Sequence, residues 1–215
     1  MISGFVICQN EQELIGYMLD SFVRIADLLD VLSIVDNDSS DDTLDIIHSY
    51  KDRLPIVVQR YSGLLEANHG AMRNLAMSKC RGEWILYADG DESWDTRFCD
   101  WLRTDEKESH DLIDIFKFST IIDRYHYVEG GNGAATRLFR NVEGVTFTQA
   151  IHTMPVGNLP RKMMIPLDKA AMYDATAMKS PEALFAKGAR YLWAHGREVG
   201  IGNEWEYVGR VNNAF

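Results

Sequence analysis

The chain has 215 residues, 46% of them hydrophobic, enough for one well-buried α/β domain and too few for a second full one. Its formal net charge of -10, from 22 Lys+Arg against 32 Asp+Glu, excludes the basic footprint that nucleic-acid binding needs. Cys8, Cys80 and Cys99 are odd in number and widely spaced, so they build neither a disulfide framework nor a zinc site and agree with a reducing, cytoplasmic setting. No apolar run approaches the roughly 20 residues of a membrane span, and Phe5-Val6-Ile7-Cys8 leads into Gln9, Asn10 and Glu11 without the basic start of an export signal.

In chain order, FVIC at 5–8, VLSIV at 31–35, PIVVQRY at 55–61 and WILYA at 84–88 are short β-rich runs, and the gaps between them leave room for crossover helices. Leu14, Tyr17, Met18, Ser21, Phe22 and Ile25 recur at helical spacing in the first gap. Ser40 or Asp41 is the expected N-cap of a helix carrying Leu44 and Ile47, and Asn68 that of a helix carrying Met72, Leu75 and Ala76. Beyond Asp111 the runs DIFKFSTI, AATRLFR and VTFTQAI predict further strands, with a turn signal at Glu129-Gly130-Gly131-Asn132-Gly133. Ser180-Pro181-Glu182 opens a late helix with Leu184, Gly188, Tyr191 and Leu192 on one face. This alternation predicts an α/β fold with a mostly parallel central sheet flanked by helices.

Open parallel sheets bind ligands beyond the carboxyl ends of their strands. The first strand ends at Gln9-Asn10-Glu11, the second at Asp36-Asn37-Asp38, and the fourth at Asp89-Gly90-Asp91-Glu92, so three polar clusters converge on one sheet edge. Adjacent carboxylates repel, and such a cluster persists only where solvent, hydrogen-bond donors or a cation offsets the repulsion. Asp89 and Asp91, two apart on what reads as extended chain with Gly90 between them, can point to one side and chelate a hard cation. Magnesium or manganese suits one or two carboxylates plus substrate phosphates. A calcium-binding EF-hand is excluded, because neither Asp89 nor Asp36 taken as its first position places glycine at position 6.

ICQNEQELIGYML, VDNDSSDDTLDII, ANHGAMRNLAMSKCRGEWILYADGDE, and TRLFRN followed by IHT resemble successive signatures of family 2 inverting glycosyltransferases with the GT-A fold, of D-x-D type, from about residue 4 to 153. A lone D-x-D is weak; one closing an R-N-x-A block that ends in ILYAD is specific. The resemblance implies a single GT-A domain over 1–215, a nucleotide-sugar half at 1–92 and an acceptor half with a C-terminal helix at 93–215, and allows that it opens a longer protein. It implies sugar transfer from a nucleoside diphosphate donor, a UDP-sugar first, to a glycan or other hydroxyl acceptor, assisted by Mn2+ or Mg2+. Asn10, Glu11, Asp36, Asp38, Arg73 and Asp89 fall at nucleotide-sugar positions, and Asp91 falls at a direct metal ligand. Asp38 stands where relatives usually have glycine. His152 resembles a histidine near the donor phosphates or metal, against the reading of a structural histidine beside an apolar strand.

Arg137 and Arg140 alternate on their strand, so that one can meet phosphate while the other forms a salt bridge. Thr153 follows His152 where relatives commonly have glutamate, which leaves the base that deprotonates the acceptor among Glu92, Asp174 and the neighbours of Asp91. Trp94, Phe98 and Trp101 read as packing and not as a sugar platform. Two other classes share some features: a sugar-phosphate nucleotidyltransferase, whose basic glycine-rich N-terminal loop has no counterpart here, and a non-catalytic metal- or glycan-binding module.

Overall fold

The computed structural model describes residues 1–63, 65–118, 121–123, 126–127, 133–148 and 154–194. The strands are β1 (Ile2–Cys8), β2 (Leu29–Asp36), β3 (Ile56–Arg60), β4 (Trp84–Asp89), β5 (Glu92–Trp94), β6 (Leu112–Phe118), β7 (Ile121–Asp123), β8 (His126–Tyr127), β9 (Gly133–Arg140), β10 (Lys162–Met164) and β11 (Met172–Asp174). The α-helices are α1 (Ile15–Val23), α2 (Thr43–Ser49), α3 (Leu65–Met77), α4 (Thr96–Trp101) and α5 (Pro181–Ala194). Nine strands form one mixed sheet in the order β3-β2-β1-β4-β9-β6-β11-β5, with β10 also paired to β6, while β7 and β8 pair separately.

Strands β3, β2, β1 and β4 are mutually parallel, as the crossover helices require, and β9 enters antiparallel between β4 and β6. All seven residues of β1 are buried, the mark of a strand covered on both faces. Its alternation divides the core: Val6 and Cys8 pack with Met18, Phe22 and Ile34 on one face, and Phe5 and Ile7 pack with Met72, Tyr87, Phe139 and Phe147 on the other. Trp94, Phe98 and Trp101 are buried and in ring contact, 5.7 Å and 6.1 Å between successive centroids, so they are packing residues.

Some local expectations shift. Helix α3 begins at Leu65, so Asn68 lies inside it and is not its cap. Helix α2 has Asp42 at the capping position, yet its side chain makes no capping bond. The carboxylate of Asp41 accepts instead from the Thr43 N–H at 3.0 Å and from its hydroxyl. Tyr17 is 56% exposed although it shares the helical spacing of buried Leu14 and Met18. At the start of α5, Ser180 Oγ accepts from the Ala183 N–H and Pro181 takes the first helical position, where its missing N–H costs nothing. His152 and the turn signal at 129–132 lie outside the described residues.

Candidate active site

The parallel strands deliver their carboxyl ends to one edge, and the polar clusters meet there. Asn10 and Asp38 both adopt left-handed backbone, φ 52° and 49°, conformations that Asn and Asp tolerate better than other non-glycine residues. At Asp38 that φ is one that glycine would adopt without strain. Asn10 Oδ1 accepts from the Ser40 N–H at 2.9 Å and the Asn10 N–H donates to Ser39 Oγ at 2.9 Å, so the two loops are tied together. Asp36 is fully buried. Its Oδ2 accepts from the Ser39 N–H at 3.2 Å and lies 3.5 Å from Arg60, which also reaches Asp38 at 3.3 Å. Gln9 Oε1 and Asn37 Oδ1, both buried beside it, have no hydrogen-bond donor among the described residues.

Gly90 and Asp91 form a turn between β4 and β5 where the sequence read as extended chain, and in this structure the two carboxylates take different partners. Asp89 accepts from Arg73 at 2.6 Å and lies 3.5 Å from Arg137. The Arg73 and Arg137 guanidinium carbons sit 5.1 Å and 5.0 Å from the Tyr87 ring centroid, so the aromatic ring helps to hold both cations at the strand end. Desolvation opposes ionisation of Asp89, but Arg73 and then Arg137 outweigh it and hold the carboxyl well below its usual range. Asp91 faces elsewhere: its Oδ2 accepts from Lys187 Nζ of α5 and from Thr176 Oγ1 at 2.7 Å. Burial likewise opposes its charge, and Lys187 followed by Lys179 overcomes it.

Glu92, 1% exposed, accepts two bonds from Arg137, at 2.8 and 2.5 Å, and one from the Asp89 N–H at 3.0 Å; Lys117 adds a contact at 3.3 Å. Lys117 also reaches Asp174 at 3.3 Å, so Glu92 and Asp174 share one ammonium. Asp174, at the end of β11, is partly exposed and accepts from the Thr176 N–H at 3.0 Å. Glu11 pairs with buried Lys179 at 2.6 Å; burial and then Asp91 push its carboxyl up to about 7 despite the lysines. Arg140 leaves the site for Glu83, for Glu108 at 2.7 Å and for the Trp84 face, the division of labour that its alternation with Arg137 allowed.

The carboxylates are therefore compensated by the chain's own cations: Arg73, Arg137, Lys117, Lys179 and Lys187. The three lysines were not legible beforehand, because Lys179 and Lys187 meet partners across very long stretches of chain. Lys117 carried a weak signal, a charge continuing the buried face of Ile113 and Ile115 along β6. No group of three or more His, Cys, Asp or Glu among the described residues could hold a metal ion by itself. The donor set fits a hard cation only as Asp91 completed by phosphate oxygens.

Residues 3–174 match the sequence profile of Glycosyl transferase family 2. The chain belongs to that family. It is 34% identical over 93 residues to a poly(ribitol-phosphate) beta-glucosyltransferase of Bacillus spizizenii, a match covering 42% of this chain and 15% of that protein. The chain spans a third or less of the length of the curated relatives that it matches. Its fold is similar to residues 1–349 of S. aureus TarS in complex with UDP-GlcNAc, with TM-score 0.64, 17% identity and coverage of 94% of this chain and 69% of that one. The mannosyltransferase PcManGT of Pyrobaculum calidifontis, solved with GDP-Man and Mn2+, follows at TM-score 0.56 and 14% identity, covering 98% and 68%. These likenesses show the GT-A fold. No helix among the described residues is long and apolar enough to cross a membrane.

Proposed function

We propose that this chain is the catalytic unit of an inverting, cation-assisted transferase that moves a sugar from a UDP-sugar to a hydroxyl of a glycan or related acceptor. The observation that carries the reading is the meeting of three strand ends around Asp89, with two guanidiniums beside it and Asp91 one turn away. A departing diphosphate needs positive charge where it leaves, and Arg73 and Arg137 supply fixed positive charge there. A divalent cation on Asp91 and the donor phosphates would add Lewis-acid and template action. The manganese in PcManGT and the UDP-GlcNAc in TarS support the choice of cation and donor. Three free, buried cysteines agree with a cytoplasmic setting.

Roles divide by exposure. In this reading Asn10, Asp36 and Asp38 form the base and ribose end, and the buried acceptors of Gln9 and Asn37, which have no donor among the described residues, lie beside it. Glu11 supports the turn below the phosphates. Glu92 has its oxygens taken by Arg137 and Lys117, so it positions Arg137 and is a poor proton acceptor. Asp174, partly exposed at the mouth, is the better candidate to take the acceptor's proton. The histidine that would join the cation, His152, is assigned by resemblance alone.

The test is a thermal-shift series with UDP, dTDP and GDP at equal concentration, with and without Mn2+. Stabilisation by UDP, enhanced by manganese, is the expected outcome. Stabilisation by GDP and none by UDP would overturn the donor assignment, and a shift with no nucleotide would point to a binding module instead.

A further inference from the structure

Lys187 lies in the middle of α5, yet its ammonium is aimed at the strand end rather than at solvent. It donates to Asp91 Oδ2 and, at 3.3 Å, contacts Thr176 Oγ1, which itself donates to the same carboxylate oxygen at 2.7 Å. Asp91 is buried, with a side chain 7% exposed, and the Lys187 side chain is 22% exposed. The start of α5 is pinned to the loop after β1. The Ser180 N–H and Oγ donate to the Glu13 carboxylate at 2.7 and 2.8 Å, and Lys179 pairs with Glu11 at 2.6 Å. The helix is thus anchored so that about two turns later its lysine reaches the aspartate on which the cation reading rests.

We propose that Lys187 is a built-in counter-cation of Asp91, and that a divalent cation binds only by displacing it, so that α5 sets the cation affinity of the site. The inference rests on the cation reading above. Mg2+ and Mn2+ need direct oxygen contacts near 2.0–2.2 Å, and an ammonium hydrogen-bonded to the same oxygen repels them at close range. The two cations therefore compete. The flexible four-carbon stem of lysine lets the ammonium swing aside while its helix stays packed. The competition gives the site a use for lysine that arginine would serve less well, because a planar guanidinium is a stiffer and more persistent partner for a carboxylate.

The experiment measures Mn2+ binding by electron paramagnetic resonance of the free ion, at fixed saturating UDP, for wild type, Lys187→Met and Lys169→Met. The last is a charge-matched control, since Lys169 pairs with Glu106 on the surface. Lys187→Met is expected to tighten Mn2+ binding by about fivefold or more, within the usual range of coupling between competing ligands, and the control to leave it unchanged. Equal affinity in wild type and Lys187→Met, or equal tightening in the control, overturns the inference while leaving the cation reading intact. No binding in either overturns both, whereas binding gained only in Lys187→Met supports displacement. If Lys187→Met does not fold, the wild type carries the test through reductive 13C-methylation of its lysines, the Lys187 resonance being assigned by its loss in Lys187→Arg. Its signal should move when Mg2+ is added to the UDP complex, and a stationary signal overturns the inference.

Discussion

At the residue scale the site balances charge by pairing its carboxylates with the chain's own cations, Lys117 and Arg137 each serving two of them, and two consequences can be measured. Asp91→Asn keeps the size of the side chain and removes the charge on which a cation would depend. Sugar transfer measured against manganese concentration should show a loss of roughly 2–4 kcal/mol of transition-state stabilisation, the range for removal of one electrostatic group from an active site. An unchanged rate and unchanged metal dependence would remove Asp91 from the mechanism. Glu11 gives a pH signature of opposite sign to that of an ordinary ion-paired acid. Its folded carboxyl titrates near 7 against 4.5 for the free group, so the unfolded chain loses this proton first. Its contribution to stability is therefore present below about 4.5 and is lost as pH rises to about 7, by up to about 3 kcal/mol. Asp89 and Asp91, held low by arginine and lysine, act the other way and only below the normal carboxylate range. Urea unfolding in chelator at pH 4.5, 5.5 and 7 should show this decline in wild type and a flatter profile in Glu11→Gln. Parallel profiles would remove the assignment.

At the element scale the decisive feature is the tight turn between β4 and β5. A Cβ at Gly90 would lie 2.9 Å from Glu11 Cγ and 3.1 Å from Cys8 Cβ, so glycine here is required by the close approach of the turn to the end of β1. Gly90→Ala should cost about 1–3 kcal/mol as an overpacking change. It should also weaken UDP binding, because relief of the clash moves the Asp91 carboxylate relative to Asp89. Denaturant midpoints and UDP calorimetry on the same preparation check this. A stable variant with wild-type affinity would show that the turn gives way at Glu11 without moving the aspartates.

At the scale of the whole molecule, the nucleotide side and the remainder share one sheet through the antiparallel pair of β4 and β9. The pairing buries Leu86, Leu138 and Phe139 in cores that also hold residues of β1 and α3. Far-ultraviolet circular dichroism and tryptophan fluorescence should therefore report one coincident unfolding transition. A fragment of residues 1–92 should aggregate or stay unfolded, because it exposes the edge of β4. Two separated transitions would divide the chain into independent units.

The strands β1, β2 and β4 and the presence of the helices were legible in the sequence because burial on both faces writes apolar runs into FVIC, VLSIV and WILYA, while the half-buried edge strand β3 showed through its β-branched run IVV. The convergence of Asn10, Asp36 and Asp89 on one edge was legible too, since parallel strands must end on the same side. Local order along the chain could not foresee that Gly90-Asp91 is a turn that aims Asp89 at arginines and Asp91 at a lysine. Nor could it foresee that Glu92 is locked by Arg137, or that Lys187 lies against Asp91 from a helix 96 residues away. Those choices belong to the tertiary structure, because an ion pair depends on distance in space, and no periodicity records which of many charges the folded sheet and α5 bring within reach.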